Sequence, residues 1–533
     1  MALLQSRPSL VARIGSVLIT SLIVALAGLP SAHAQKDYEE WRKKQRQKYQ
    51  EYLNEQDKAF LKFLKRQWKS VEVEAETGSP VDDKPSDIPT VGELDGGAEP
   101  SSSVAESSPT AETDPAPESS PESDQRERST DQRTDAADPP PPPQTSSRDR
   151  PRSQTDAELG ANASTASLRF FGVPTSVPYT STITPSLDGE PGKESIRSFW
   201  RTMAKQEYAP TLEAVQAQRD ELGLSDWGYY VYLRDLGNQL YQKNGLASGS
   251  NAATLWTWFM MMKSGYAVRV GYRSDNIFLL LPADSQIYNR PQMYLNDQRY
   301  YLMVEGGGGS LRTYEGQHED ADQVLRLDQK ILPKLEGSTK QRSASFSYDG
   351  ERYTVEFSYD TAVLAYLQAF PNVELSVLFR AGASPAAQSS LTESLRPHVE
   401  NRSPRDALTF LLRFVQFATE YKRDRENFGE ERFLFPEESL AVTASDCEDR
   451  AVLFAYLVRT VLDREVVGLE WPSHIATAVR VGEGLEAASE DRTLTVDGAT
   501  YIMADPTYIG SSLGMEMPLV ENKDPDIIQF AQN

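Results

Sequence analysis

The chain has 533 residues, 55 Lys and Arg against 78 Asp and Glu, a net charge of -23, 39% hydrophobic residues and one Cys. Such an acidic excess excludes sequence-independent nucleic-acid binding, which needs basic surface to neutralise phosphates. A single Cys excludes an internal disulfide framework and any cysteine-rich zinc site.

Arg7 and Arg13 flank the start of an apolar run from Ile14 to Leu29, Pro30 ends it, and Ala32-His33-Ala34 supplies a small-x-small cleavage pattern. This predicts a signal peptide over residues 1–34, with no Cys after the run to make it a lipoprotein signal. The mature chain is expected to start near Gln35 in an exported compartment, the bacterial periplasm. No later segment is apolar enough to span a bilayer, so no integral membrane span is expected after signal removal.

Residues 35–75 predict a charged amphipathic helix. Trp41, Tyr49, Leu53, Phe60, Leu64 and Trp68 recur at steps that keep them on one face. Its lysines and arginines leave three uses open: a short coiled coil, an anionic surface or envelope partner, or docking on its own protein. Residues 76–165 predict a disordered acidic linker. Val71 to Gly160 has no Phe, Tyr or Trp, carries 22 acidic against 7 basic residues, and includes five consecutive prolines, Pro139 to Pro143. Such a stretch buries too little apolar surface to offset its chain entropy, and the prolines favour an extended spacer.

Order returns near Leu168. The remaining chain is long enough for two or three domains with their own cores. Residues Trp227 to Tyr241 and Asn251 to Lys263 predict helices. Ser345 to Tyr359 predicts a hairpin, with alternating aromatics on either side of Asp349-Gly350. Arg405 to Tyr421 predicts an amphipathic helix, and Asp449 to Leu462, nearly all apolar, a buried one.

That buried helix opens on Ser445-Asp446-Cys447-Glu448-Asp449-Arg450-Ala451. A helix start carries partial positive charge and free N–H groups, which favour a thiolate and can serve an oxyanion. His474 begins an apolar strand through Val479. Tyr501 to Ala504 predicts a second strand, ending in Asp505-Pro506-Thr507-Tyr508. A nucleophile on a helix, a His on a strand and an orienting Asp after the next strand make a Cys-His-Asp triad.

With these motifs, Asp-Cys-Glu-Asp-Arg-Ala, a strand-opening His and Asp-Pro-Thr-Tyr, residues 404–518 resemble the transglutaminase-like cysteine-enzyme superfamily. The resemblance implies an α+β, papain-like arrangement with the Cys helix packed on an antiparallel sheet. It implies Cys447 as nucleophile, His474 as general base and acid, and Asp505 as the group that orients the imidazole. Gln416 or Tyr421, on the preceding helix, is a candidate second oxyanion donor, and Trp471 a candidate cleft wall. Asp446, Glu448 and Asp449 are expected to cap the helix and pair with Arg450. Their charged side chains are expected to keep Cys447 at a surface or cleft, and to make its activation depend on His474.

The same pattern recurs upstream without its chemistry. At an offset of 197 between the two numberings, Ser250 overlays Cys447, and the His474 position falls on Ile277 beside Asn276. With the offset drifting to 200, Glu305 overlays Asp505. Residues 166–335 are accordingly expected to be a degenerate transglutaminase-like domain, 336–400 a hairpin-containing bridge, and 401–533 the catalytic domain.

The functional expectation is an exported thiol hydrolase or acyl-transferase acting on peptide, isopeptide or Gln amide bonds of a protein or peptide in the cell envelope. The alternative is a non-catalytic envelope scaffold with a vestigial triad. No nucleotide or metal motif is visible: Gly306 to Gly309 leads to no phosphate-binding pattern, and Glu319-Asp320-Ala321-Asp322 lacks calcium-loop spacing. No cofactor is expected.

Overall fold

A computed structural model describes residues 55–66, 68–75, 84–91, 163–304, 308–521 and 523–530. The expected signal peptide, most of the expected N-terminal helix and most of the expected linker lie outside the described residues. The chain divides into two compact units, Met1–Lys62 and Phe63–Asn533. Residues 55–64 are helical, as their apolar spacing predicts. The architecture of the second unit is mixed α+β with antiparallel sheets.

The expected helix does not extend to residue 75. Trp68–Val73 is strand β1. Only Val71-Glu72-Val73 alternates, the two valines more buried than the glutamate between them, so the sequence signals a strand weakly and its pairing decides the matter. It pairs antiparallel with β8 (Gly309–Tyr314) from Trp68↔Tyr314 to Val73↔Gly309. The Trp68 ring meets Tyr272 and Tyr314, each at 5.4 Å between centroids. Nor does the whole linker lack structure. Lys84–Val91 lies against the folded chain, held by contacts between groups far apart in sequence.

The first half opens with hairpin β2 (Ala163–Phe170) and β3 (Val173–Thr180). Helices α1 (Lys193–Met203), α2 (Ala209–Leu222), α3 (Asp226–Lys243) and α4 (Asn251–Lys263) follow. Strands β4 (Arg269–Arg273), β5 (Asn276–Pro282), β6 (Gln292–Leu295) and β7 (Gln298–Leu302) then join β8 and β1. The sheet order is β1-β8-β4-β5-β7-β6. Glu74 and Gln292 exchange backbone hydrogen bonds of 2.8 and 3.3 Å, which ties the end of β1 to β6 and nearly closes the sheet into a barrel.

Hairpin β9 (Thr339–Tyr348) and β10 (Glu351–Asp360) turns through Asp349 and Gly350, both at positive φ (51° and 75°). That conformation is the one a two-residue hairpin turn requires. The hairpin packs on the second half: Phe346 meets Phe410 and Phe414. Helices α5 (Thr361–Gln368), α6 (Leu375–Arg380), α7 (Pro385–Val399) and α8 (Pro404–Ala418) follow.

After the two-residue strand β11 (Glu420–Tyr421) come α9 (Asp424–Asn427), α10 (Pro436–Ala441), β12 (Ala444–Ser445) and α11 (Cys447–Val461). The last sheet holds β13 (Val466–Trp471), β14 (His474–Arg480), β15 (Thr493–Val496), β16 (Ala499–Ala504) and β17 (Asp526–Ile528), in the order β15-β16-β14-β13-β17. Its core includes Leu469, Trp471, Ala476, Ala478, Tyr501, Met503 and Met517.

The two sheets share one plan. The order β6-β7-β5-β4-β8 repeats as β15-β16-β14-β13-β17, all antiparallel. Each is preceded by an apolar helix, α4 or α11, directly before its central hairpin. The geometry corrects the sequence overlay slightly. Ser250 caps α4 as Asp446 caps α11, so Asn251, not Ser250, stands at the Cys447 position. The hairpin pair Arg273↔Asn276 matches Trp471↔His474, which sets Asn276, not Ile277, at the His474 position. Carried one step on from Leu280↔Leu302, the strand register puts Val304, not Glu305, at the Asp505 position. The overlay slipped because loop lengths differ, whereas caps and ladders fix register.

Candidate functional site

Cys447 is the first residue of α11. The Asp446 N–H, just outside the helix, donates to Asp449 Oδ2 at 3.4 Å, and the Leu434 N–H donates to Asp449 Oδ1 at 2.8 Å. A carboxylate at the third helical position suits a helix start, where N–H groups lack partners. The helix is buried along its length, Cys447 through Val458.

β13 and β14 form a tight hairpin with Trp471 opposite His474. β14 also pairs with β16 at Thr477↔Ala504, so the residue after β16, Asp505, meets the first residue of β14. His474 Nε2 lies 2.8 Å from Asp505 Oδ2, with both side chains fully buried. Asp505 is itself fixed: Oδ1 accepts the N–H groups of Thr507 and Tyr508 at 2.9 and 3.1 Å. Trp471 stacks near-parallel to the imidazole, 6.0 Å between centroids. It is part of the sheet's hydrophobic core, with its own Nε1 donating to Lys523 O at 3.2 Å.

The other imidazole nitrogen, His474 Nδ1, is buried with no hydrogen-bond partner among the described residues. Cys447 Sγ instead donates to Glu448 Oε2 at 3.2 Å. The helix that carries Cys447 packs against the strand that carries His474. The structure thus joins His474 to Asp505 by a hydrogen bond, sets the Cys447 helix against β14, and leaves the thiol bonded elsewhere.

Gln416 is not free to serve an oxyanion. Its Nε2 donates to Tyr508 O (2.9 Å) and Ser511 Oγ (3.1 Å), and its Oε1 accepts from Arg413 (2.8 Å) and Gly510 N–H (3.2 Å). It holds the loop that bears Asp505, so its amide has no donor to spare. Tyr421 donates its hydroxyl to Pro85 O at 2.9 Å. The expected pairing of Arg450 with its acidic neighbours does not form among the described residues: Nε and Nη1 have no hydrogen-bond partner. Arg450 is buried, donates to Thr419 O at 2.8 Å, and lies over the Tyr421 ring.

Asp446 and Glu448 pair with Lys84 instead. Its ammonium lies 2.7 Å from Asp446 Oδ2 and 3.8 Å from Asp424 Oδ2, and forms close ion pairs with Glu448 and Glu431. Asp424, Glu431, Asp446 and Glu448 are all buried, and their oxygens converge within 4.8 Å, a spacing that could also hold a metal ion. Sequence reasoning missed Lys84. One signal was there: it is the lone basic residue between Val71 and Gln125, in an otherwise acidic stretch.

Burial changes the chemistry around Cys447. Desolvation, then Glu448 and Asp446, push the Cys447 thiol well above its ordinary range. Burial also pushes Glu448 and Asp449 well up, and Asp424 to about 10, with neighbouring carboxylates adding to each. For Lys84, burial opposes the charge, but Glu448 and Asp446 outweigh it and drive the pKa up. The resting site therefore holds a neutral thiol under a charged ammonium. Cys447 is not at a surface: it is fully buried.

Comparison with family models, with curated proteins and with solved structures finds no match.

Proposed function

We propose that the protein is an exported thiol hydrolase or acyl-transferase, with Cys447 as nucleophile, His474 as base and acid, and Asp505 as the orienting carboxylate. The proposal extends to a papain-like arrangement of this half, as the Cys-His-Asp motifs imply. The observation that carries it is the division of His474: Nε2 is committed to Asp505 at 2.8 Å, while buried Nδ1 is left unpartnered. Buried polar atoms are ordinarily paired, so an orphaned one on an oriented imidazole supports a waiting proton transfer.

In this reading Asp505 holds the proton on Nε2 and leaves Nδ1 as the base. Nδ1 takes the thiol proton, and sulfur attacks the carbonyl carbon of a peptide, isopeptide or Gln amide bond. The carbonyl oxygen gains negative charge against backbone N–H groups at the start of α11. Nδ1–H then protonates the leaving amine as its bond to carbon breaks. Water or a second amine attacks the thioester, His474 takes its proton, and the thiol is regenerated. The N-terminal pattern of residues 1–34 supports export, and an envelope peptide or protein as substrate.

A second reading, a non-catalytic envelope scaffold, draws on one observation: the thiol is buried and bonded to Glu448, not to His474. Activity-based thiol labelling in an envelope fraction separates the two, comparing wild type with Cys447→Ala and His474→Ala. The enzyme reading expects label on Cys447, lost in both variants, and an envelope component changed only by wild type. Label that persists in His474→Ala with no altered component supports the scaffold.

A further inference from the structure

The acidic cluster beside Cys447 is already filled from within the chain. Lys84 presents one ammonium to four buried carboxylates, Asp424, Glu431, Asp446 and Glu448. A convergence on a single Nζ suits the compact ammonium, a point charge with three rotatable donors, better than the planar fork of a guanidinium.

The residues that follow Lys84 do not leave the surface. Pro85 O accepts the Tyr421 hydroxyl at 2.9 Å. Thr90 forms a parallel bridge with Ile509, and Val91 N–H donates to Ile509 O at 2.9 Å. Val91 packs on the core that contains Trp471 and Tyr508. Glu448 adjoins Cys447, and Ile509 lies four residues beyond Asp505. The segment is therefore anchored at Glu448, next to Cys447, and at Ile509, close in sequence to Asp505, and Cys447, His474 and Asp505 are fully buried.

We propose that these four carboxylates form a subsite for a primary ammonium, and that Lys84–Val91 is a tethered occupant of the cleft, displaced by a lysine-bearing peptide. The inference rests on the thiol-enzyme reading for the meaning of the cleft, and names its substrate class. The neutral thiol fits such a resting state: removing the segment re-admits water beside Cys447.

The test uses the full chain, whose single Cys makes alkylation by iodoacetamide a clean readout. Wild type should react slowly. Lys84→Met, with its thermal melt retained, should react about tenfold faster or more, as for a locally opened cover. A synthetic peptide of residues 82–93 should restore slow alkylation in Lys84→Met, and the same peptide with norleucine in place of lysine should not. An unchanged rate in Lys84→Met, or equal protection by both peptides, overturns the inference. Protection by millimolar calcium chloride where the lysine peptide gives none also overturns it, making the cluster a metal site. Should Lys84→Met fail to fold, n-butylamine added to wild type should speed alkylation where n-butanol does not; equal effects overturn the inference. Intact-mass measurement keeps the two readings apart: protection by the lysine peptide without any acyl adduct on Cys447 from an envelope extract leaves the subsite standing and removes the enzyme.

Discussion

Two halves of this chain are built on one plan and spend it differently. In the first, Asn251 stands at the start of α4 where Cys447 stands at the start of α11. Its Nδ2 donates to Asp275 O and its Oδ1 accepts Ile277 N–H, both at 2.8 Å. One amide thus stitches the helix start to the start of β5, at the position matching the His474 strand. In the second half that place holds a thiol, an imidazole with one orphaned nitrogen, and buried acids. In the second half, burial pushes up the carboxyls of Asp424, Glu437, Glu438, Glu448, Asp449 and Glu470. At this one position, an amide satisfied on both sides serves packing, whereas an imidazole with an orphaned nitrogen beside carboxyls that burial pushes up is a candidate for chemistry.

The sharpest way to test that contrast is to remove the chemistry from each half in turn. Cys447→Ala should abolish turnover and labelling outright. His474→Ala should lower kcat/KM by about 10³-fold or more, since proton transfer and thiol activation fail together. Asp505→Asn should cost about 10²-fold or more, by freeing the imidazole and removing the acceptor of its proton. Asn251→Ala, the matching change in the first half, should leave kcat/KM at wild type. Steady-state assay on the identified envelope substrate reads all four, and a loss in Asn251→Ala comparable to that in His474→Ala would erase the distinction.

Packing should fail alike in both halves. A Cβ on Gly468 would lie 2.7 Å from the Phe379 ring, and one on Gly271 would lie 2.5 Å from Leu311 Cδ2. Gly468→Ala and Gly271→Ala should each cost about 1–3 kcal/mol, read by urea denaturation. Asn251→Ala removes two hydrogen bonds and should cost about 1–2 kcal/mol by the same measurement.

The pH dependence of stability should come from the second half. Burial pushes the Glu438 carboxyl up to about 7, against the pull of Arg432. The folded form therefore holds this proton more tightly than the unfolded chain. Its contribution is complete below the ordinary glutamate pKa and is lost as pH rises through about 7. Wild-type Tm should fall between pH 4.5 and 7 more steeply than that of Glu438→Gln. Parallel curves would show that Glu438 does not carry the titration. The slope that one group can contribute is at most about 1.4 kcal/mol per pH unit.

What could be read from the chain alone was what is local. Helices α3, α4, α8 and α11 were visible from apolar spacing, the β9–β10 hairpin from Asp349-Gly350, and His474 and Asp505 from their positions at strand ends. What escaped depended on partners far away. Trp68–Val73 follows a helical pattern, and its strand identity comes from β8, more than 230 residues on. Lys84 looks like one charge in a solvated tether; only the fold assembles four acids around it. Gln416 looked like a spare polar group because its partners, the loop from Asp505 to Ser511, are set by tertiary contact.

The central claim is that Cys447 becomes acylated with His474 as its base. Intact-mass spectrometry of the full chain, incubated with an envelope peptide extract and quenched in acid, tests it directly. The account predicts a hydroxylamine-sensitive adduct on Cys447 in wild type, more abundant in Lys84→Met and absent in His474→Ala. A chain whose Cys447 reacts with iodoacetamide yet never carries an acyl adduct would contradict it.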